Sequence, residues 1–172
     1  MTLTQATLLS SHEVAHMLFN LVTADLTNDV AERTIPGACI SRISPILAHA
    51  IFGEDMTVNL TLRGGTTILE REGWAGRTGI PGPLAAMTTD WLGAAFEPDQ
   101  LRAYAAAVFA GTEQYLEDLP PGDLERMVTS PLGSQVTGAE LLSSFNLVHL
   151  MMHTGEIAAL KGVQGVPGGL PF

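Results

Sequence analysis

The sequence predicts an all-α fold, a four-helix bundle with one long connection between its second and third helices. Three observations carry that reading. Four stretches repeat apolar residues at helical spacing. Strong breakers, Ile35-Pro36-Gly37 and Pro120-Pro121-Gly122, divide them. No run of useful length alternates apolar with polar residues as a half-buried strand does; Thr57–Leu62 comes nearest and abuts a helix. At 172 residues, of which 46% are hydrophobic, the chain suits one domain, 1–172, with a real core, and is too apolar for a disordered polymer.

The first helix is expected from about Thr4 to Glu32, opened by a capping box of Thr2 and Gln5. Its apolar stripe reads Val14, Met17, Leu18, Leu21, with Leu26 and Val30 further round. The second runs from about Ser41 to Leu60, with Pro45 in a first turn that needs no backbone donor there. Its stripe is Ile46, His49, Phe52, Gly53, Met56 and Leu60. The third runs from about Pro98 to Leu119 after an acidic start favourable to the helix dipole. The fourth runs from about Thr137 to Gly162, a natural stop, with the stripe Leu142, Phe145, His149, Met152, His153, Glu156, Leu160. The connection 61–97 is glycine-rich, holds both tryptophans, Trp74 and Trp91, and has room for a short helix near Leu84–Ala95. Loops of that length are often functional. The tail 163–172 reads as irregular.

Charge excludes whole classes of partner. Eighteen acidic side chains face eight basic ones, for a formal charge of −10. Nucleic-acid binding needs a basic surface, and so does an anionic membrane. No apolar run reaches the ~20 residues of a spanning helix, and the N-terminal residues lack the basic and apolar regions of a signal peptide. The single cysteine, Cys39, forms no internal disulfide and fits a reducing cytoplasm. It sits in a connector, with nothing to mark it as a nucleophile.

Five histidines carry the functional signal. Four of them form pairs spaced i, i+4, His12/His16 and His149/His153, where chance placement gives far fewer than one pair. Residues at that spacing share one helix face, so two imidazoles can share one metal ion. His149 and His153 fall within the apolar stripe of the fourth helix. Two buried imidazoles need partners for their ring nitrogens, and a metal satisfies both. His49 lies on the inward stripe of the second helix, and Gly53 one turn later leaves space beside it. Three inward histidines from two helices form a three-histidine site with an open position, the arrangement of a catalytic zinc site. Each is otherwise a hydrogen-bonded core or surface histidine. Glu156, three residues after His153, is the candidate acid/base; it can equally orient a ligand histidine, bind the metal, or be a surface glutamate. Glu54 lies off the stripe and reads as structural.

His12-Glu13-Val14-Ala15-His16 matches the HExxH zinc-protease pattern, which is short and easily met by accident. The metzincin extension is absent, with Phe19 where glycine is required and Val22 where a third histidine is required. On the helical wheel both histidines fall opposite Val14, Leu18 and Leu21, which places them on the outer face, partly exposed.

Ile35-Pro36-Gly37 and the run from Ile43 through His49 to Gly53-Glu54-Asp55 resemble the second-helix signature of DinB-like proteins, grouped also with the mycothiol-dependent maleylpyruvate isomerases. His149-Leu150-Met151-Met152-His153-Thr154-Gly155-Glu156-Ile157 resembles their C-terminal signature. In the wider family a similar pair is often followed by Arg-Gly-Gln-Ile, so this chain departs at Thr154 and Glu156. The resemblance implies an up-down-down-up bundle and a divalent metal, usually zinc or nickel, held by His49, His149 and His153. It also implies a homodimer, and thiol-dependent isomerase or S-transferase chemistry with mycothiol, bacillithiol or glutathione on a small-molecule substrate. Two other readings stay open: a hydrolase using metal-bound water, and a non-catalytic metal- or ligand-binding bundle.

Overall fold

Thr2 opens the first helix as the sequence predicts. Its hydroxyl accepts the Gln5 N–H, and the Gln5 amide oxygen accepts the Thr2 N–H, both at 3.1 Å. Helix α1 (Leu3–Thr23) follows in the computed structural model, which describes residues 1–37, 42–81 and 89–169. The expected continuation to Glu32 is broken. Leu26 N–H turns back to Thr23 O, and the Thr27 hydroxyl caps a separate helix, α2 (Asn28–Glu32). Thr27 competes for the backbone as a cap residue does.

Helix α3 (Ser44–Asp55) carries Pro45 in its first turn and continues as a π-helical segment, Met56–Leu62. The expected start at Ser41, like Cys39, lies outside the described residues. In the long connection the chain forms α4 (Ile68–Arg71), α5 (Ala75–Thr78) and α6 (Thr89–Gly93). Of the short helix expected near Leu84–Ala95, residues 84–88 lie outside the described residues and α6 falls in the rest. Both tryptophans belong to the core here. Trp91 is fully buried and donates its indole N–H to Pro45 O at 3.1 Å; Trp74 packs on Tyr104.

Asp55 fastens this connection to the bundle. Its carboxylate accepts the Ile68 and Leu69 N–H groups, each at 2.9 Å, the Asn59 amide at 2.9 Å, and the Tyr104 hydroxyl. Four donors compensate a fully buried charge that would otherwise be costly.

Helix α7 (Pro98–Glu117) matches its expected span. A short antiparallel hairpin follows, β1 (Met127–Thr129) with β2 (Gln135–Thr137), Val128 opposite Val136. Strands of three residues are too short to show as alternation. A second capping box, Thr137 with Glu140, starts α8 (Gly138–Glu140), which runs through a π-helical segment, Leu141–Leu147, into α9 (Val148–Val163). The helix passes Gly162, and the left-handed residue beyond it is Gly165.

Helices α1 and α3 each pack against both α7 and α9. Phe19, Ile46, Leu47, Phe52, Tyr104, Val108, Leu150 and Ile157 fill the space between them. Lys161, the chain's one lysine, is fully buried; its ammonium donates to Val22 O at 2.7 Å and to Asp25, tying α9 to the end of α1.

Two apolar stripes are turned from their expected faces. On α1, Val14, Met17 and Leu21 are exposed, and the buried face is Leu8, His12, Ala15, His16, Phe19 and Val22. On α9 the buried face is Leu150, His153, Thr154, Ile157 and Lys161, while Met152 is exposed. The α9 shift follows from the π-helical segment before it, whose i→i+5 pattern widens the turn and rotates the register. Removing the Asp55 carboxylate is expected to cost about 3 kcal/mol or more, because four donors lose their acceptor in the interior. Equilibrium urea unfolding of Asp55→Ala measures it, with the exposed Asp118→Ala as a control that shifts stability by no more than about 0.5 kcal/mol.

Candidate metal centre

His49 stands one turn above Gly53 on α3, and His149 and His153 face it from α9. The His49 and His149 Nε2 atoms lie 2.9 Å apart. All three ring centroids are 4.6–4.8 Å from one another, with planes crossing at 77–81°. One donor nitrogen from each ring falls within 4.8 Å of the others. Nitrogens bound tetrahedrally at about 2.0–2.1 Å from an ion stand about 3.3 Å apart, so small shifts would bring this set to a common centre.

Gly53 makes the approach of the two helices possible. A Cβ at that position would lie 2.6 Å from His149 Cε1 and 3.0 Å from its Nδ1. The inward placement of Gly53 expected from the sequence is therefore found, with His149 rather than empty space beside it.

Tautomers follow from the partners. Glu156 lies three residues beyond His153, and its Oε2 accepts the His153 Nδ1–H at 2.8 Å. That bond leaves the His153 Nε2 lone pair free, as a ligand requires. Burial pushes His49 down to about 3, aided by its two histidine neighbours. Burial also pushes His149 down to about 4, with His153 adding to the effect and Glu54 opposing it. Both rings are therefore neutral bases near pH 7, the form that binds a cation. His49 Nδ1 is buried without a partner. Three imidazoles converging from two helices, His49 and His149 held neutral by burial, fit a divalent ion.

The other histidine pair is not on the outer face. His12 and His16 are both buried. Periodicity places apolar residues inside, and here polar ones are inside because each is fully partnered. His12 Nδ1–H donates to Leu8 O at 2.7 Å, and its Nε2 accepts the Asn146 amide at 3.2 Å. Burial holds its pKa below the ordinary value. His16 stacks on Phe109, with centroids 3.9 Å apart, and donates to two carboxylates: Nε2–H to Glu54 at 2.9 Å and Nδ1–H to Glu113 at 2.7 Å. Burial works against its charge, but the two carboxylates outweigh it and raise its pKa. Burial likewise pushes the Glu54 carboxyl up, and the His16 hydrogen bond and charge pull it below the usual range. Glu54 is thus structural as expected, and its partner is the residue the sequence hid. The two His16 nitrogens point to different acids, and Glu13 is exposed. The HExxH pattern forms no converging ligand set among the described residues.

Comparison with known proteins gives the same frame. A family model of the DinB superfamily matches residues 12–157, a span that encloses His49, His149, His153 and Glu156. A solved structure, described as the conserved protein of a locus from Enterococcus faecalis, superposes with a TM-score of 0.76 over 96% of this chain and 99% of that one, at 21% identity. At that identity the likeness is one of fold. No curated protein matches.

Two outcomes follow. Gly53→Ala is expected to keep the helix content, since alanine favours helix, yet to displace His149 and lower divalent-metal affinity about tenfold or more; titration with a chromophoric chelator reads this. The His16 contribution to stability is full below its unfolded pKa near 6.5 and is lost as pH rises through its raised folded pKa. His12 acts oppositely, costing stability as pH falls below 6.5. Urea midpoints of the wild type should therefore decline on the alkaline side, and His16→Gln should flatten that decline.

Proposed function

The chain belongs to the DinB superfamily, and from that membership and its three facing histidines we propose a metal-dependent enzyme that activates a low-molecular-weight thiol for S-transfer or isomerisation. The observation that carries the reading is the convergence of three imidazoles from two helices, two of them held neutral by burial though only half-buried at the surface. Zinc or nickel is the proposed ion, and mycothiol, bacillithiol or glutathione the class of thiol. When bound, such an ion supplies Lewis acidity that makes a coordinated thiol or water nucleophilic near neutral pH.

The chain's own residues do the rest. His49, His149 and His153 hold the ion through Nε2. Glu156 fixes the His153 ring through Nδ1–H, and its other oxygen, Oε1, is the acceptor for the proton an incoming thiol loses. No protein thiol is required, which agrees with a chain that has a single cysteine. Part-exposed Glu156 at the rim also favours a second reading, a hydrolase in which the same carboxylate takes a proton from water; activity without added thiol separates the two. The same proposal includes the up-down-down-up order of helices, a homodimer, a cytoplasmic setting, and small-molecule rather than nucleic-acid or membrane partners. Among the described residues no helix is long and apolar enough to cross a membrane.

Elemental analysis tests the ligand set: His49→Ala, His149→Ala and His153→Ala should each lose most of the metal, while His16→Gln keeps it. Full metal in His49→Ala would show the set to be wrong. Turnover of a chromogenic electrophile at matched metal loading tests the chemistry, and no rate with any thiol would refute the transferase reading. Glu156→Ala should weaken metal binding about 10–100-fold, and Glu156→Gln less, since glutamine still accepts the His153 N–H.

A further inference from the structure

Helix α3 is almost wholly enclosed. From Ile43 to Asn59 every side chain is buried except His49, Gly53 and Met56, and Leu60 next in that series is exposed. These four recur at i, i+4, i+7 and i+11, so the helix opens along one stripe, and the stripe contains the metal centre. On the facing helical run the corresponding edge is Phe145, Val148, His149 and Met152, with Val148 and Met152 exposed. The two edges meet at the His49–His149 contact. The rim around the open side is thus Met56, Leu60, Phe145, Val148 and Met152. Glu156, whose carboxylate accepts the His153 Nδ1–H, borders it.

No lysine or arginine belongs to either edge of this rim, and the cations whose contacts the structure gives are engaged elsewhere. Arg42 is engaged by Glu32 and the Leu92 and Ala94 carbonyls, and Arg63 by Asn59, Gly111 and the Tyr115 ring. Arg71 pairs with Glu72, and Arg77 lies over Trp74. Arg102 is held by Asp99 and Leu26 O, and Arg126 by Asp123 and Leu62 O. Lys161 is on α9 but faces α1. Arg33 is exposed at the end of α2. The segments 38–41, 82–88 and 170–172 contain no lysine or arginine. With a formal charge of −10, the field over the molecule repels anions. A carboxylate brought to this rim would lose water and gain no counter-charge.

We propose that the thiol admitted to this centre carries no negative charge, because its entrance is an apolar rim bordered by an acid, with no lysine or arginine on either edge. The inference rests on the thiol reading above and narrows it to neutral thiols, against carboxylate-bearing ones such as glutathione.

The test uses the full chain loaded with cobalt(II), where a bound thiolate gives a charge-transfer band in the near ultraviolet. Mercaptoacetate and its methyl ester are titrated at low salt, and each Kd is corrected for the thiolate fraction. The ester is expected to bind about tenfold or more tightly than the acid. Met152→Lys, at an exposed helical position, places a cation on the rim and should narrow the ester-to-acid ratio about threefold or more, an effect lost in high salt. Comparing ratios between the two proteins cancels the intrinsic difference between the thiols. Equal or tighter binding of the acid by the wild type overturns the inference while leaving the thiol reading intact. A ratio unmoved by Met152→Lys overturns it too. A protein that takes up no cobalt, or takes it up and gives no thiolate band with either form, refutes the thiol reading and this inference together.

Discussion

The distance between α3 and α9 at Gly53 is the constraint on which the rest depends. The His149 ring lies where a side chain at position 53 would have to be. Because that side chain is a hydrogen, the His149 ring reaches across to His49 and the three imidazoles meet. Glycine in a helix costs about 0.5–1 kcal/mol relative to alanine. The cost is accepted because α3, apart from the stripe that holds Gly53, is buried along its length, so the helix gains enough packing to offset it.

The two residues after Gly53 turn this point into an anchor for the whole bundle. Successive helical residues point about 100° apart. Gly53 faces α9, Glu54 reaches His16 on α1, and Asp55 reaches the start of α4 and Tyr104 on α7. Through His16 the Glu54 contact extends to Glu113 on α7. Three adjacent residues thus hold α3 against each of its neighbours by a steric fit, an ion pair and a carboxylate accepting four donors. A metal centre built from two helices needs their relative position fixed to within a fraction of an ångström. Directional polar contacts one residue away supply that better than apolar packing, which tolerates sliding.

How much of this was legible in the sequence depended on whether a residue's partner lay nearby in the chain. The Thr2–Gln5 cap, the span of α7, Pro45 in a first turn and the shared face of His149 and His153 are local, and each is found. The Thr27 cap that divides the first helix is local as well, but apolar spacing continues through it and masks it. The faces of α1 and α9 were not legible. Val14, Met17 and Leu21 form a credible stripe, and only the pairing of His16 with acids 38 and 97 positions away reverses it. On α9 a π-helical segment rotates the register, and nothing in Leu141–Leu147 announces it. His149 is half-buried rather than central for that reason.

The histidines show how environment, rather than burial alone, assigns chemistry to one residue type. Burial opposes charge on His12, His16, His49 and His149 alike. His16 overcomes it because two carboxylates accept both of its protons. His12 stays neutral because its partners are a carbonyl and an amide. His49 and His149 stay neutral because their nearest polar neighbours are other imidazoles, which cannot all carry charge together. A neutral imidazole with its lone pair turned to another has no satisfactory state in an apolar interior without a proton or a cation between them. Further protons at the centre bring the rings' charges into repulsion, whereas a single divalent ion accepts three lone pairs at once. The unlike environments therefore give His16 two acids to donate to and leave His49, His149 and His153 as a cluster whose donor atoms fit a divalent ion.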